Sequence, residues 1–358
     1  MIPLILPSSS DAASPFVTRL GAVTWDDSRD ARLMSDAGGT ALYSGDFGLF
    51  TIERPQGMSL EGDIVLVDPR AGRAERLIRA ESDHNTLLVT ERCDQLCVMC
   101  SQPPKKTHED RFAAFTAACL LAPSSSVIGI SGGEPTLFKA ELLEMLETVL
   151  GQRPDLAFHI LSNGQHFEQG DVERLRQHCY QRVQWGIPVY SADHASHDKI
   201  VAKEGALARL EKSFCHLLAA GARIELRTVL LSDNYNDLPR LARYVATRLP
   251  FIAHWSIMQL ENAGFAKNRW HALYVDHQQD FAPLGQALDH AILSGLDVRL
   301  FNVPRCSVPR EYRRHAMASI SDWKRRYAPA CAPCHERDQC GGFFEWHPRD
   351  ADLKVVPL

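Results

Sequence analysis

The sequence predicts an α/β protein: a partial (β/α)6 barrel preceded by a small β-rich N-terminal domain and followed by a C-terminal metal-binding extension. Three observations carry this. From Thr86 onward, short β-branched runs alternate with stretches of helical periodicity. Before that, turn signals punctuate short apolar runs. Cysteines gather in two places, after the first alternating strand and near the C-terminal end. With 358 residues and 45% hydrophobic content, the chain is long enough for one sizeable core plus an appendage.

In chain order, Ser8 to Ser14 is small and polar and reads as a loop or loose terminus. The turn signals Asp36-Ala37-Gly38-Gly39, Ser44-Gly45-Asp46 and Asp68-Pro69-Arg70-Ala71-Gly72 flank runs such as Asp63 to Val67, so residues 1–84 read as strands in hairpins. Strands then follow at Thr86–Thr90, Ser126–Ile130, Ala157–Leu161, Val183–Val189, Arg223–Val229 and His254–Gln259. Helical patterns fill the intervals at Asp110–Leu121, Lys139–Leu150, Asp171–His178, Ala206–Ala220, Asp237–Leu249 and Phe281–Leu293. Parallel neighbours need crossover connections, which these helices supply. Six units fall short of the eight in a complete barrel, so residues 85–300 are expected to form an open, partial one, with its ligand at the carboxyl ends of the strands. Residues 301–358 form the extension.

Nothing is apolar for long enough to cross a bilayer, and Ile2 to Pro7 lacks a basic lead-in, so neither a membrane span nor a signal peptide is expected. The implied compartment is the cytoplasm, where ten cysteines read as metal ligands or core thiols rather than disulfides. Cys119, Cys179 and Cys215 fall singly on helical patterns and read as packing residues. A net charge of −5 argues against a nucleic-acid surface. The basic run Arg310, Arg313, Arg314, Lys324, Arg325 and Arg326 reads as a solvated helix face.

Cys93-x3-Cys97-x2-Cys100 offers three thiolates where a [4Fe–4S] cube takes four, which leaves one iron open to a non-protein ligand. A zinc site completed by His84 or His108 is the competing assignment. Gly132-Gly133-Glu134-Pro135 ends the next strand on the same rim. Adjacent glycines let the backbone come close to a ligand or adopt positive φ, and Glu134 suits a cationic amine. Cys306, Cys331, Cys334 and Cys340 supply four thiolates, enough to close a second [4Fe–4S] cluster or a structural zinc site.

The cysteine spacing followed by Gly-Gly-Glu-Pro resembles the radical S-adenosylmethionine (SAM) superfamily over about Asn85 to Gln259. That resemblance implies a TIM-like partial barrel whose open iron chelates the amino and carboxylate groups of SAM. Reductive cleavage of SAM would then yield a 5′-deoxyadenosyl radical. It also implies that Gly132, Gly133, Glu134 and Pro135 hold the amino group, that Ser162 and Asn163 of Ser162-Asn163-Gly164 reach the ribose or carboxylate, and that Arg227 pairs with the carboxylate unless it bridges Glu225 instead. Met99 stands where an aromatic residue often packs near the adenine. Gln259-Leu260-Glu261-Asn262-Ala263-Gly264 resembles another rim turn. After the fourth strand, Asp193 is a candidate cofactor or substrate contact and Asp198 a cap, while His194 and His197 read as polar surface residues.

The C-terminal cysteines resemble the auxiliary-cluster (Twitch/SPASM-like) region of radical peptide maturases. Stretches such as Asn85 to Cys97, Ser319 to Lys324 and Cys340-Gly341-Gly342-Phe343-Phe344 resemble the HxsC family of His-Xaa-Ser system radical maturases. This implies a peptide or protein substrate with His-Xaa-Ser repeats, a second radical SAM maturase, and an electron donor such as flavodoxin or ferredoxin. An extended peptide would add to an exposed sheet edge of the N-terminal domain. The alternatives are a radical SAM enzyme of cofactor biosynthesis acting on a small molecule, and a non-catalytic zinc-binding scaffold.

Overall fold

Each of the three early turn signals closes a hairpin in the computed structural model, which describes residues 2–22 and 29–358. The strands are β1 (Ile5–Ser10), β2 (Phe16–Gly21), β3 (Asp30–Ala37), β4 (Thr40–Gly45), β5 (Gly48–Glu53), β6 (Ile64–Asp68) and β7 (Arg73–Ile78). Gly38 and Gly39, at φ 62° and 86°, turn β3 into β4. At the β6–β7 turn, Asp68 Oδ1 accepts from the amides of Arg70 and Ala71, both at 3.1 Å.

The seven strands close into a barrel in the order β1-β5-β4-β3-β2-β6-β7. Its filling includes Leu20, Ala41, Ile52, Val65 and Ala74. Two expectations are corrected here. Ser8, Ser9 and Ser10 lie in β1, paired with Ile52, Thr51 and Phe50, because barrel closure rewards backbone pairing whatever the side-chain propensity. Closure also pairs the sheet edge proposed for peptide docking, among the described strands.

Asp63, just before β6, bonds Arg76 Nε at 2.6 Å and accepts from the Ala80 amide at 2.9 Å, and both charged side chains are buried. Burial pushes the Asp63 carboxyl up, and Arg76 opposes this. Removing one partner leaves a buried charge without compensation, so Asp63→Ala is expected to cost ~3–5 kcal/mol in urea unfolding. A loss below ~1 kcal/mol would mean that Arg76 finds water or another acceptor.

A second sheet has the strand order β14-β13-β12-β11-β10-β9-β8. Its members are β8 (Asn85–Thr90), β9 (Val127–Gly132), β10 (Ala157–Leu161), β11 (Val183–Pro188), β12 (Arg223–Val229), β13 (His254–Met258) and β14 (Val298–Phe301). The β11–β12, β12–β13 and β13–β14 pairs are parallel. The helices are α1 (Phe112–Leu121), α2 (Lys139–Gln152), α3 (Val172–Leu175), α4 (His194–Val201), α5 (Ala206–Ala220), α6 (Leu238–Arg248), α7 (Gly264–Leu273) and α8 (Ala282–Leu293).

Six strands and five helices fall close to their predicted places. The count of six units is corrected by β14, whose four residues are too short to show a period. The predicted helix Asp171–His178 shrinks to the single turn of α3 between 3-10 turns. Short C-terminal strands β15 (Arg325–Arg326) and β16 (Phe343–Phe344) pair antiparallel.

By contacts the chain divides into two compact units. One joins Met1–Val89, Glu109–Ser131 and Phe138–His159, and the other joins Thr90–His108, Gly132–Leu137 and Ile160–Leu358. The basic run is not one helix face. Arg310, Arg313 and Arg314 share a 3-10 turn, whereas Arg326 is buried and bonds Asp352 at 2.7 Å. Of the single thiols, Cys119 is buried but Cys215 is exposed, so Cys215 is not a packing residue. No helix of the described residues is long and apolar enough to cross a membrane.

Candidate functional site

The second unit gathers the cysteine loop, Gly132–Leu137 and the turns after β10 and β13. Gly133 N donates to Thr90 O and Glu134 N to Arg92 O, both at 2.8 Å, so the backbone after β9 zips against the start of the cysteine loop. The two glycines exist for this contact. A Cβ on Gly132 would stand 2.3 Å from Thr90 O, and one on Gly133 would stand 2.2 Å from Arg92 O and 2.9 Å from Cys93 Cβ. Neither glycine has positive φ, so close approach, and to protein backbone rather than ligand, is the operative requirement.

Other elements clamp the loop from outside. Leu96 N and Val98 N donate to Val201 O (3.2 Å) and Ile200 O (2.9 Å) at the end of α4. Phe265 N donates to Cys100 O at 2.8 Å, and Arg269 donates to Val98 O at 2.9 Å. Gly264, at φ +55°, has no room for a Cβ, which would meet Cys100 O at 2.3 Å. The predicted turn ending at Gly264 thus seats the third cysteine.

Cys93, Cys97 and Cys100 are half-buried, and their charges would interact. Burial pushes the Cys93 and Cys97 thiols up to about 12, with neighbouring thiols adding to the rise, and burial also raises Cys100. The Cys97 thiol donates to Gln95 Oε1 at 3.5 Å and the Cys100 thiol to Gln102 O at 3.0 Å, while Cys93 Sγ accepts from Gln95 N at 3.4 Å. Only a strong positive charge, such as a metal centre, makes such a set of thiolates favourable. Among the described residues, no three His, Cys, Asp or Glu side chains converge as ligands of a single ion do. A cubane's thiolates each sit on a different iron, so they need not converge on one point.

Glu134 is wholly buried. Its Oε1 accepts from Thr136 N at 2.8 Å, Thr136 Oγ1 at 2.5 Å and Ser162 Oγ at 2.8 Å, and its Oε2 accepts from Asn163 N at 2.5 Å. Burial raises its carboxyl pKa, and these donors oppose the rise. Ser162 and Asn163 therefore hold Glu134. Asn163 Nδ2 also donates to Asp94 Oδ1 at 2.7 Å, and Asp94 meets Lys203 and, at 3.1 Å, His166. These partners depress the Asp94 carboxyl against the opposing effect of burial. The motif gives no sign of Lys203 or His166, since both reach Asp94 from distant segments. Asp94 is not among the residues the sequence singled out, and its place next to Cys93 is the signal that marks it.

Arg227 donates to Glu225 Oε1 at 2.9 Å, the competing role foreseen for it. Pro135 opens a buried 3-10 turn. Met99 packs with Tyr190, Ile200, Leu231 and Leu260 in an apolar cluster that Cys97 borders. Asp193 caps α4, accepting from Ser196 N at 2.9 Å, and Asp198 accepts from Gly205 N and Leu207 N before and within α5. His194 bonds Glu211 at 3.3 Å on the surface. His197, read as a surface residue, is buried: its Nδ1 accepts from Tyr190 N at 3.3 Å, and α4 turns it inward. His108 faces Thr90 Oγ1 at 3.1 Å.

Cys306, Cys331, Cys334 and Cys340 line one small cavity of about 20 Å3. Arg305 N and Gly342 N donate to Cys340 Sγ, each at 3.4 Å, and Leu358 N donates to Cys334 Sγ at 3.5 Å. Burial raises the Cys306 and Cys331 thiols. Amide donors aimed at sulfur stabilise thiolates, as iron–sulfur or zinc ligation requires.

No family model matches the chain. The PqqA peptide cyclase of Methylocella silvestris is 24% identical over 286 residues, covering 75% of this chain and 72% of that protein. Among solved structures, Streptococcus suis SuiB bound to S-adenosylmethionine aligns with TM-score 0.49 and 13% identity over 60% of this chain. The chain spans 49% of SuiB's length. A radical SAM methyltransferase from Sphaerobacter thermophilus aligns with TM-score 0.44 and 13% identity, covering 75% of this chain and 74% of its own.

Proposed function

We propose that this chain is a radical SAM enzyme that modifies a peptide or protein. The carrying observation is the cysteine loop, seated on Gly132-Gly133 so tightly that no side chain fits between. The likeness to a named peptide cyclase over three quarters of the chain supports the peptide as substrate class. A [4Fe–4S] cluster with S-adenosylmethionine, when bound, supplies reductive cleavage to a 5′-deoxyadenosyl radical.

In this reading Cys93, Cys97 and Cys100 ligate three irons. Met99 offers an apolar wall beside them. Ser162, Asn163 and Thr136 hold the Glu134 carboxyl in place, and Glu134 Oε2, with one protein donor, keeps an acceptor position for an ammonium group. Arg227, oriented by Glu225, presents its remaining N–H groups to a carboxylate. Cys306, Cys331, Cys334 and Cys340 hold a second cluster, with zinc as the other candidate metal. We retain residues 1–84, 85–300 and 301–358 as the proposed domains, and a His-Xaa-Ser repeat protein, a partner maturase and a flavodoxin or ferredoxin donor as the proposed cytoplasmic partners.

Anaerobic reconstitution tests the core of this reading. About eight irons per chain fits two cubes, about four fits one, and zinc alone defeats the enzyme. With reductant and S-adenosylmethionine, wild type is expected to form 5′-deoxyadenosine, detected by mass spectrometry, and Cys97→Ala none. Equal product from both would remove Cys97 from the catalytic centre.

A further inference from the structure

A cavity of about 320 Å3 lies in the second unit and is bordered by Cys306 but built mainly from residues with no role in either cysteine site. Trp270 and Tyr274 stack at 4.3 Å along one wall. The His347 ring stands edge-on to both, at 5.5 and 5.9 Å. His347 itself is only 8% exposed. At the mouth are Asp276, Asp350 and Lys354, a net negative set in which Lys354 Nζ bonds Asp276 at 2.5 Å.

Aromatic faces and surplus carboxylate together favour a cation. Lys354 shows that a flexible ammonium reaches this mouth, and Arg326, over the Phe343 ring at 5.2 Å, shows a guanidinium held by an adjoining aromatic residue. Burial, with Arg326 adding to it and Asp350 and Asp352 opposing, holds His347 near 4, so it stays neutral and does not repel a cation at pH 7.

We propose that this cavity binds a basic side chain of the peptide substrate between the Trp270–Tyr274 wall and the Asp276 and Asp350 carboxylates, with Lys354 as the internal cation it displaces. Only the peptide nature of the ligand rests on the function proposed above. Binding is therefore measured without S-adenosylmethionine or reductant, so its outcome is independent of 5′-deoxyadenosine formation.

Calorimetric titration of the full, reconstituted chain would compare acetyl-Gly-Arg-Gly-amide with acetyl-Gly-Gln-Gly-amide. The arginine peptide is expected to bind and the glutamine peptide to fail. Lys354→Met is expected to tighten arginine-peptide binding by about threefold, by freeing Asp276. Trp270→Ala is expected to weaken it by about tenfold. If Trp270→Ala melts early, Lys354→Met still decides, because Lys354 is at the surface. Equal binding of the two peptides, no binding of either, or unchanged or weaker binding in Lys354→Met overturns the proposal.

Discussion

Gly133→Ala is expected to abolish 5′-deoxyadenosine formation and to lower bound iron toward about half of wild type, because the C-terminal cysteines keep their share. The added methyl would lie 2.2 Å from Arg92 O, 2.5 Å from Arg92 C and 2.9 Å from Cys93 Cβ, and all three obstructing atoms belong to the cysteine loop. Backbone atoms cannot rotate away as a side chain does. The loop is also held on its other side by the bonds to Ile200, Val201 and Phe265, so it has nowhere to retreat. Either the Gly133–Thr90 and Glu134–Arg92 bonds break or Cys93 moves, and each outcome separates the thiols.

Gly151→Ala is the matched control. It lies inside α2 with no atom within 4 Å of its Cβ, so the same chemical change should raise stability by ~0.5–1 kcal/mol and leave iron untouched. A Gly133→Ala protein with wild-type iron and product would show that the loop is far softer than its contacts imply.

Those glycines show what a sequence reveals and what it hides. Gly-Gly beside a cysteine motif marks a close approach, expected here to be to a ligand, and the structure has the approach but not to a ligand. What approaches is Arg92 and Thr90 of the same chain, which no local pattern states. Strands β8 to β13 and the long helix α5 were legible because each spans enough residues to show a period. The four-residue β14 shows none, and barrel closure drew the polar serines of β1 into pairing against their propensity. Glu134 was legible by type, whereas its capture by Ser162 and Asn163 depends on the turn after β10 arriving beside it. Asp94, Lys203 and His166 meet only through tertiary structure. His197 was misread because a lone histidine beside acidic and polar neighbours carries no sign of which way its helix will face.

The buried histidines set the response to acid. His197, His277 and His347 are each held near 4 by burial, against an ordinary value of 6.5. Their folded-state pKa values are depressed, so between pH 6.5 and 4 the unfolded chain binds protons that the folded chain refuses. Their contribution to stability is complete above pH 6.5 and is lost as pH falls through the folded value. Each such histidine adds a slope of ~1.4 kcal/mol per pH unit within that window. Glu134 acts in the opposite sense: its raised carboxyl takes up a proton more readily when folded, which offsets part of the loss.

Replacing one histidine isolates its share. His197→Asn keeps an acceptor for Tyr190 N and does not titrate. Urea unfolding from pH 7 to pH 5 should therefore be shallower in pH for His197→Asn than for wild type by ~1.4 kcal/mol per unit. Parallel pH profiles would mean that His197 is protonated while folded, and that Asp198, the charge which raises its pKa, outweighs its burial.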